Sequence, residues 1–215
     1  MSHELKQVEA ALAHDLNNFL QVVMGNLELL RRRREFVPEI VEAALAATRN
    51  AAQLADRVLA LGRLQAPEPR VLDVNRLLGE LREMLERSLG PTVRVETELA
   101  PDLRSVVADP RALQLALLEL VANARHALPG GGRVTLRTAN APQNLVLVEF
   151  ADTGSGMSRE VIDKALQPPL PGAVSGQRGL GLHIVDLCLQ QSGGRLEVDS
   201  TPGAGTRVKL YLPAK

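Results

Sequence analysis

Apolar residues recur in steps of three and four along the first third of the chain, which predicts helices. Between residues 3 and 34 these positions form one continuous stripe, made of Leu5, Val8, Leu12, Leu16, Phe19, Val23, Leu27 and Leu30. Pro38 opens a second periodic stretch that runs to about Leu64, so the pattern predicts two long helices joined as a hairpin. A hairpin alone leaves apolar surface exposed, and we expect two copies to cover it by forming a four-helix bundle.

The pattern changes after the segment Gln65–Arg70, whose two prolines cannot continue a helix and predict a linker. Beyond it, short apolar runs alternate with amphipathic stretches. The predicted helices are 74–89, Pro110–Leu128, Ser158–Leu166 and Gly181–Gln191, and the predicted strands are Val93–Thr97, Ser105–Ala108, Arg133–Thr138, Leu145–Phe150, Leu196–Asp199 and Arg207–Leu212. This mixture predicts an α+β chain, in which an α/β sandwich with helices on one face of its sheet follows the hairpin. We therefore expect a helical domain over 1–66, a linker over 67–71 and an α/β domain over 72–215.

Composition narrows the classes of function. The chain has 215 residues, 45% of them hydrophobic, which is enough for two small domains. The 25 basic residues balance the 25 acidic ones, so we expect no nucleic-acid or anionic-membrane partner. No apolar run approaches the roughly 18 residues that a membrane span needs, and the charged N-terminus is unlike a signal peptide, which together predict a cytoplasmic protein. The single cysteine, Cys188, excludes an intrachain disulfide framework.

The most informative short segment is Ala13–Asn18, with the sequence AHDLNN. His14 lies roughly 200° around the helix from Leu12, which predicts that it faces water. Asp15 is adjacent, and Asn18 follows one turn later on the same exposed face. A neutral imidazole beside a carboxylate that can take its proton is equipped to act as a nucleophile. From these six residues alone, an inert surface histidine remains the other interpretation.

Three segments of the second half carry polar or glycine-rich signals. Asn123 interrupts an apolar helix, and its side-chain oxygen is the kind of hard ligand that Mg²⁺ accepts beside phosphate, although a capping or core amide is an equal alternative. Asp152 follows an apolar strand and precedes two glycines, an arrangement that can bind an adenine amino group or can be a plain loop. The third segment is Arg178–Val185, where glycines precede a helix whose N-terminal amides could bind a phosphate.

Taken together, the order and contents of these three segments resemble the nucleotide-binding boxes of the sensor histidine kinases. Those kinases belong to the ATPase superfamily that also includes gyrase, Hsp90 and MutL. The segment Ala13–Asn18 resembles the phosphoacceptor box of the same kinases, so the likeness extends from about residue 5 to residue 213. The resemblance implies a dimeric four-helix bundle followed by a Bergerat-type ATP-binding domain. The implied function is ATP-dependent phosphorylation of His14 and transfer of the phosphoryl group to an aspartate of a response-regulator receiver domain, with dephosphorylation of the regulator as a further expected activity.

The resemblance also implies roles for individual residues. His14 would be the phosphoacceptor, Asp15 would orient and deprotonate it, and Asn18 would position a water for dephosphorylation of the regulator. Asn123 would ligate Mg²⁺ and Asp152 would bind the adenine. The other expected contacts to ATP are His126, Gly154, Gly156, Arg178, Gly179, Leu180, Gly181 and Thr206.

The chain departs from the family pattern between its last two boxes. The segment Leu166–Gly172 holds three prolines and no aromatic residue, and Gln177 occupies the position of an expected glycine. These features predict a short, stiff lid over the nucleotide and slow ATP turnover, or dependence on a partner. Two other functions therefore stay open: a non-catalytic histidine phosphotransfer or scaffold protein with a vestigial nucleotide pocket, and a plain ATPase or protein-serine kinase that leaves His14 idle.

Overall fold

The structure is a computed structural model, which describes residues 2–33, 36–63, 66–167 and 180–215. The chain divides into two compact units near residue 65. The first unit holds helices α1 (Ser2–Arg33) and α2 (Pro38–Arg63), which pack along each other as a hairpin. Both helices begin and end within one residue of their predicted limits, because a long periodic pattern specifies a helix strongly.

The contact between the two helices is built from small and branched residues. The buried positions recur in steps of three and four on α2, and they meet the buried start of the apolar stripe on α1; they are Val8, Leu12, Ala44, Ala47, Ala51 and Leu54. Small alanine side chains let the two backbones approach closely. Leu27, predicted to be buried in the stripe, is 54% exposed, because a hairpin gives each helix a single neighbour.

The second unit contains a five-stranded sheet and four helices. In chain order its elements are β1 (Arg70–Leu72), α3 (Val74–Leu89), β2 (Val93–Glu98), β3 (Val106–Ala108), α4 (Pro110–Ala127), β4 (Gly132–Ala141), β5 (Leu145–Asp152), α5 (Arg159–Leu166), α6 (Leu180–Gln190), β6 (Arg195–Ser200) and β7 (Thr206–Pro213). The sheet has the strand order β2-β4-β5-β7-β6, with β2 parallel to β4 and every other pair antiparallel. The predicted α+β class, a helical hairpin followed by an α/β sandwich, is confirmed.

The sequence patterns did not predict strand β1. The short strand β1 begins at Arg70, inside the linker predicted over 67–71, and pairs with β3 in a two-stranded ribbon. A strand of three residues is too short to show a period of two, and only its pairing with residues far along the chain specifies it.

The sheet has one covered and one solvated face. Residues at alternate positions of β4, β5 and β7 are buried beneath the helices, with Phe150 at the centre. On the opposite face, the strand register places charges of alternating sign side by side across all five strands, in the order Glu98, Arg137, Glu149, Lys209 and Glu197. Opposite charges on neighbouring strands stabilise a sheet modestly, so this face needs no covering layer.

Helix α4 begins at Pro110, directly after β3, and its C-terminal half carries Asn123. Asp109, only 2% exposed, caps its N-terminus by accepting a hydrogen bond from the Arg111 amide at 2.8 Å. The same carboxylate accepts from the Glu68 amide at 2.9 Å and lies 3.3 Å from the Arg111 guanidinium. Burial acts to raise the pKa of Asp109, but the hydrogen bonds from Glu68 and Arg111 outweigh it, and the pKa lies below its ordinary value.

Candidate functional site

His14 lies in the middle of α1 with 55% of its side chain exposed, as its helical position predicted. The Asn18 amide nitrogen is 3.2 Å from Nδ1 of the imidazole, and the nearer Asp15 carboxylate oxygen is 3.6 Å from the same atom. Both neighbours therefore act on Nδ1. Among the described residues, neither of these contacts involves Nε2, and the structure gives that nitrogen no hydrogen-bond partner.

The two neighbours of His14 require different tautomers. A neutral imidazole carries one proton, so Nδ1 either accepts from the Asn18 amide or donates to the Asp15 carboxylate. In the structure Asn18 donates to Nδ1, which leaves the proton on Nε2. Transfer of the proton to Nδ1, where Asp15 can accept it, would free the lone pair of Nε2 for attack.

In the second unit, α4 and α6 meet at Asn123. The Asn123 side chain is exposed, and its amide atoms lie so close to Gly181 that a Cβ on this glycine would be 2.9 Å from Nδ2 and 3.0 Å from Oδ1. A side chain at position 181 would require the Asn123 amide to shift, so glycine lets the first turn of α6 approach this side chain without displacing it. The amide oxygen of Asn123 is thus held beside the N-terminus of a helix, where a hard oxygen ligand and backbone amides suit Mg²⁺ and phosphate together.

The loop after β5 joins the same end of α4. The Ser155 amide donates to the Ala127 carbonyl at 3.1 Å, and a Cβ on Gly154 would lie 2.6 Å from the Ala127 Cβ. Asp152 accepts a hydrogen bond from the Gly154 amide at 2.8 Å. Burial raises the pKa of the Asp152 carboxyl, and hydrogen bonds from the Gly154 and Thr206 amides oppose that rise. A half-buried carboxylate in this position can accept a hydrogen bond from an adenine amino group.

Two close backbone approaches fix this loop against the turn between β6 and β7. Gly156 has φ +64°, and a Cβ there would lie 2.0 Å from the Thr201 carbonyl oxygen. Gly205 has φ +86°, and its Cβ would lie 2.1 Å from the Asp152 carbonyl oxygen. Side chains are excluded at both positions by conformation and by space. The sequence predicted a role for Gly154 and Gly156 in this loop. It did not single out Gly205, which the structure shows packed against the same loop.

Ser200 is a second residue that the sequence did not reveal. Its hydroxyl donates to the Gly205 carbonyl at 2.9 Å and accepts from the Met157 amide at 2.8 Å. Because that proton is used, the Thr206 hydroxyl 3.0 Å away must donate to Ser200. Thr206 is thus held in one orientation beside Asp152. A serine at the end of a short strand is common, so the sequence alone gives no signal for it.

The remaining predicted contacts differ in their surroundings. Nδ1 of His126 lies 2.6 Å from the Ala122 carbonyl of its own helix, so this nitrogen donates to the backbone. Leu180 is a buried apolar residue at the start of α6. Arg178 and Gly179 lie outside the described residues, as do Gln177 and most of the proline-bearing segment. Among the described residues, no helix is both long and apolar enough to cross a membrane.

Two family models match the chain. The model described as "His Kinase A (phospho-acceptor) domain" matches residues 4–67, and the model described as "Histidine kinase-, DNA gyrase B-, and HSP90-like ATPase" matches residues 108–215, half of the chain. The first range contains His14 and its neighbours. The second contains Asn123, Asp152 and Gly181, so the family matches fall on the residues whose geometry is described above.

Similar proteins support the same assignment. The chain is 34% identical to the sensor kinase CckA of Brucella abortus (strain 2308), over 96% of the chain and 24% of that protein. It is 30% identical to the sensory histidine kinase/phosphatase NtrB of Escherichia coli O157:H7, over 95% of the chain and 61% of that protein. The chain thus spans less than two thirds of either curated relative. Among solved structures, the Acinetobacter baumannii histidine kinase AdeS shares the fold with a TM-score of 0.68 at 16% identity, over 94% of this chain and 98% of that one.

Proposed function

The chain belongs to the sensor histidine kinases and carries their catalytic core, and from this premise we propose that it phosphorylates His14 from ATP and passes the phosphoryl group to a response-regulator aspartate. One observation carries the proposal. Two segments that are distant from α4 in sequence meet its C-terminal half, where Gly181 lies against Asn123 and Gly154 lies against Ala127.

The convergence supports ATP as the ligand. Asp152 binds the adenine amino group, while the loop of Gly154 and Gly156 lines the base and Thr206 borders it. The amides at the start of α6 bind the phosphates, and the Asn123 oxygen contributes to a Mg²⁺ site. Bound ATP would supply the transferable phosphoryl group, and Mg²⁺ would offset the negative charge of its phosphates. Since Mg²⁺ bound with phosphates uses few protein ligands, one amide oxygen beside the helix end fits the ion.

On the helical hairpin, the chemistry follows from the tautomer of His14. With the proton on Nδ1 and accepted by Asp15, the Nε2 lone pair attacks the γ-phosphorus. The Nε2–P bond forms as the bond from that phosphorus to the β–γ bridging oxygen breaks, and ADP leaves with the electron pair. The phosphohistidine then passes its phosphoryl group to the receiver aspartate. Asn18, within reach of the same imidazole, is the residue that we expect to position water when the regulator is dephosphorylated.

We also infer that two copies of the chain associate through the hairpin. Large apolar side chains on α1 and α2 remain exposed in the single chain, among them Leu20, Met24, Leu27 and Leu45. Burying such a patch against an equivalent hairpin gives a four-helix bundle with two-fold symmetry. The response-regulator receiver domain is the second partner that the proposal requires.

Labelling with γ-labelled ATP and Mg²⁺ tests the proposal. The wild-type chain should acquire an acid-labile, alkali-stable label, the property of a phosphohistidine. His14→Gln should abolish the label, because no nucleophile replaces the imidazole, and Asn123→Ala should reduce it to background. Asn17→Ala, an exposed amide on the same helix, is the matched control and should retain it.

The outcomes separate the alternatives. Label retained in His14→Gln would contradict the assignment of the phosphoacceptor. If calorimetry detects no Mg-ATP binding while a phosphorylated receiver domain phosphorylates His14, the chain is a non-catalytic phosphotransfer protein. Hydrolysis of ATP with no label on His14 would instead indicate a plain ATPase.

A further inference from the structure

His183 is a buried polar residue within an apolar run at the start of α6. It lies two residues after Gly181 on α6 and is only 3% exposed. Its position in an apolar pattern predicts simple packing, but the structure gives it a directed contact: Nδ1 lies 3.2 Å from the Leu166 carbonyl oxygen. A carbonyl can only accept, so Nδ1 carries the proton of the neutral ring and Nε2 is left as an acceptor.

The carbonyl that His183 reaches belongs to the end of another helix. Leu166 is the last residue of α5, and the final carbonyls of a helix lack partners within it. The backbone of Gln167 turns back to the Lys164 carbonyl and leaves Leu166 to be satisfied from outside. The imidazole supplies that donor, so it joins the C-terminus of α5 to the first turns of α6.

The other ring nitrogen indicates that packing alone does not explain the residue. Among the described residues, Nε2 is buried without a hydrogen-bond partner. An aliphatic side chain of similar size would fill the same space without the unpaired Nε2, but it would leave the Leu166 carbonyl without its donor. The bond from Nδ1 to Leu166 is therefore the feature that distinguishes histidine from leucine at this position.

The position of α6 matters because Gly181 must lie against the Asn123 side chain. We propose that His183 is a positioning residue for nucleotide binding: its bond to Leu166 holds the first turn of α6 so that the Gly181 backbone stays beside Asn123. This inference rests on the proposed function, since it assigns a purpose to the contact only if ATP binds at the junction of α4 and α6.

Three variants of the full chain test the proposal by calorimetric titration with Mg-ATP and by thermal unfolding. His183→Leu fills the space without a donor, and we expect its Kd for Mg-ATP to rise at least fivefold while its Tm changes little, because the variant loses the unpaired Nε2 together with the donor to the half-buried Leu166. His183→Asn places an amide donor near the position of Nδ1 and omits Nε2, so it should restore Kd to within twofold of wild type. Cys188→Ala is the control, because Cys188 is equally buried on the same helix.

A measurement without nucleotide gives an independent readout. Nitrogen-15 NMR of the imidazole in the unliganded chain should show His183 as the Nδ1-protonated tautomer, and an Nε2-protonated ring would overturn the proposal. So would an unchanged Kd in His183→Leu, or a loss of affinity that follows a loss of Tm in both the Leu and the Asn variants. If the wild-type chain itself binds no Mg-ATP, the proposed function fails, which is a distinct result from failure at His183.

Discussion

The helical hairpin and the α/β unit place their functional residues in opposite ways. Around His14 the partners are the next residue and the residue one helical turn later, so a single helix assembles the group. In the α/β unit, Gly181 and Asn123 come from separate helices, and the loop that holds Gly154 reaches the same helix at Ala127 only after the unit has folded. The comparison shows that one chain can carry one site determined by local geometry and another determined by packing.

The two units also differ in how completely they bury their apolar residues. The described hairpin exposes large apolar side chains along much of its length, namely Leu20, Val22, Met24, Leu27, Leu29, Phe36 and Leu45, whereas those exposed on the described α/β unit are Val71, Val107 and Val161. The α/β unit thus has a core of its own. The hairpin has an interface between two helices and surface left for association.

The largest loss of stability is expected at Gly205, where the turn between β6 and β7 packs against the end of β5. Gly205→Ala places a methyl group 2.1 Å from the Asp152 carbonyl oxygen at φ +86°, so the turn and the β5 end must separate. We expect a loss of at least about 3 kcal/mol in the free energy of unfolding, from overpacking and left-handed strain together. Tyr211 is the single tyrosine and the chain lacks tryptophan, so its fluorescence during urea unfolding reports on the α/β unit.

Gly203→Ala is the matched control for this prediction. Gly203 has φ +80° in the same turn, but a Cβ there meets nothing within 4 Å. Its loss should be about 1 kcal/mol, the cost of the conformation alone. Equal losses in the two variants would show that the close approach to Asp152 does not constrain the site.

The next effect concerns the surface of the hairpin. Leu27→Asp puts a charge on an exposed apolar position, and burying that charge in a bundle would be costly. If two hairpins associate, sedimentation equilibrium should show the dimer Kd rising at least tenfold. Val161→Asp makes the same change at a position of similar exposure, 48%, in the α/β unit and should leave the Kd unchanged. A monomeric wild-type chain would remove the basis for the proposed bundle.

A third prediction uses the buried cap of α4. Asp109→Asn should lower the free energy of unfolding of the α/β unit by about 2 kcal/mol at pH 7, because one amide oxygen cannot replace both carboxylate oxygens and the NH₂ group would oppose donors. The folded-state pKa of Asp109 is lowered, so the stabilisation is present above the unfolded pKa of about 3.9 and is lost as pH falls through the folded pKa.

Urea unfolding at a series of pH values, followed by Tyr211 fluorescence, checks this prediction. The wild-type and Asn curves should approach each other as the pH falls below the unfolded pKa of about 3.9 and should converge once it falls below the lowered pKa of Asp109 in the folded chain. Asp73 caps α3 through one bond to the Arg76 amide and is exposed, so Asp73→Asn should change stability little. A difference between wild type and Asp109→Asn that persists at low pH would contradict the role of the charge.

The smallest change in the free energy of unfolding is expected when one exposed helical glycine in each unit is replaced by alanine. Gly79 in α3 and Gly25 in α1 are exposed helical glycines with open space around their Cβ positions. Gly79→Ala should raise the free energy of unfolding by about 0.5–1 kcal/mol, as measured through Tyr211. Gly25→Ala should leave the Tyr211 transition in place if the units unfold separately, and a shift of that transition would show that they unfold together.

Sequence reasoning succeeded where patterns are long and failed where they are short. The periodic stretches predicted the six helices that the described residues form, and the resemblance implied which residues of the α/β unit bind ATP, which stays a prediction. Sequence reasoning missed β1, because only pairing with β3 defines its three residues. It also missed Ser200, because the hydrogen bonds of this residue to Met157 and Thr206 form only in the folded unit. It also gave His183 only a packing role, because the Leu166 carbonyl belongs to a different helix.

The sequence by itself determined the exposure of His14 and the identity of its neighbours, because the repeat of an α-helix fixes which side chains share a face. It also determined the helices and most strands, since their hydrophobic periods are local properties. Only the tertiary structure decided that Gly181 lies against Asn123, that Gly205 lies against Asp152 and that His183 reaches Leu166. These contacts join segments that are far apart in the chain. They form only when the helices pack on the sheet, because close packing of the interior fixes the position of each backbone segment.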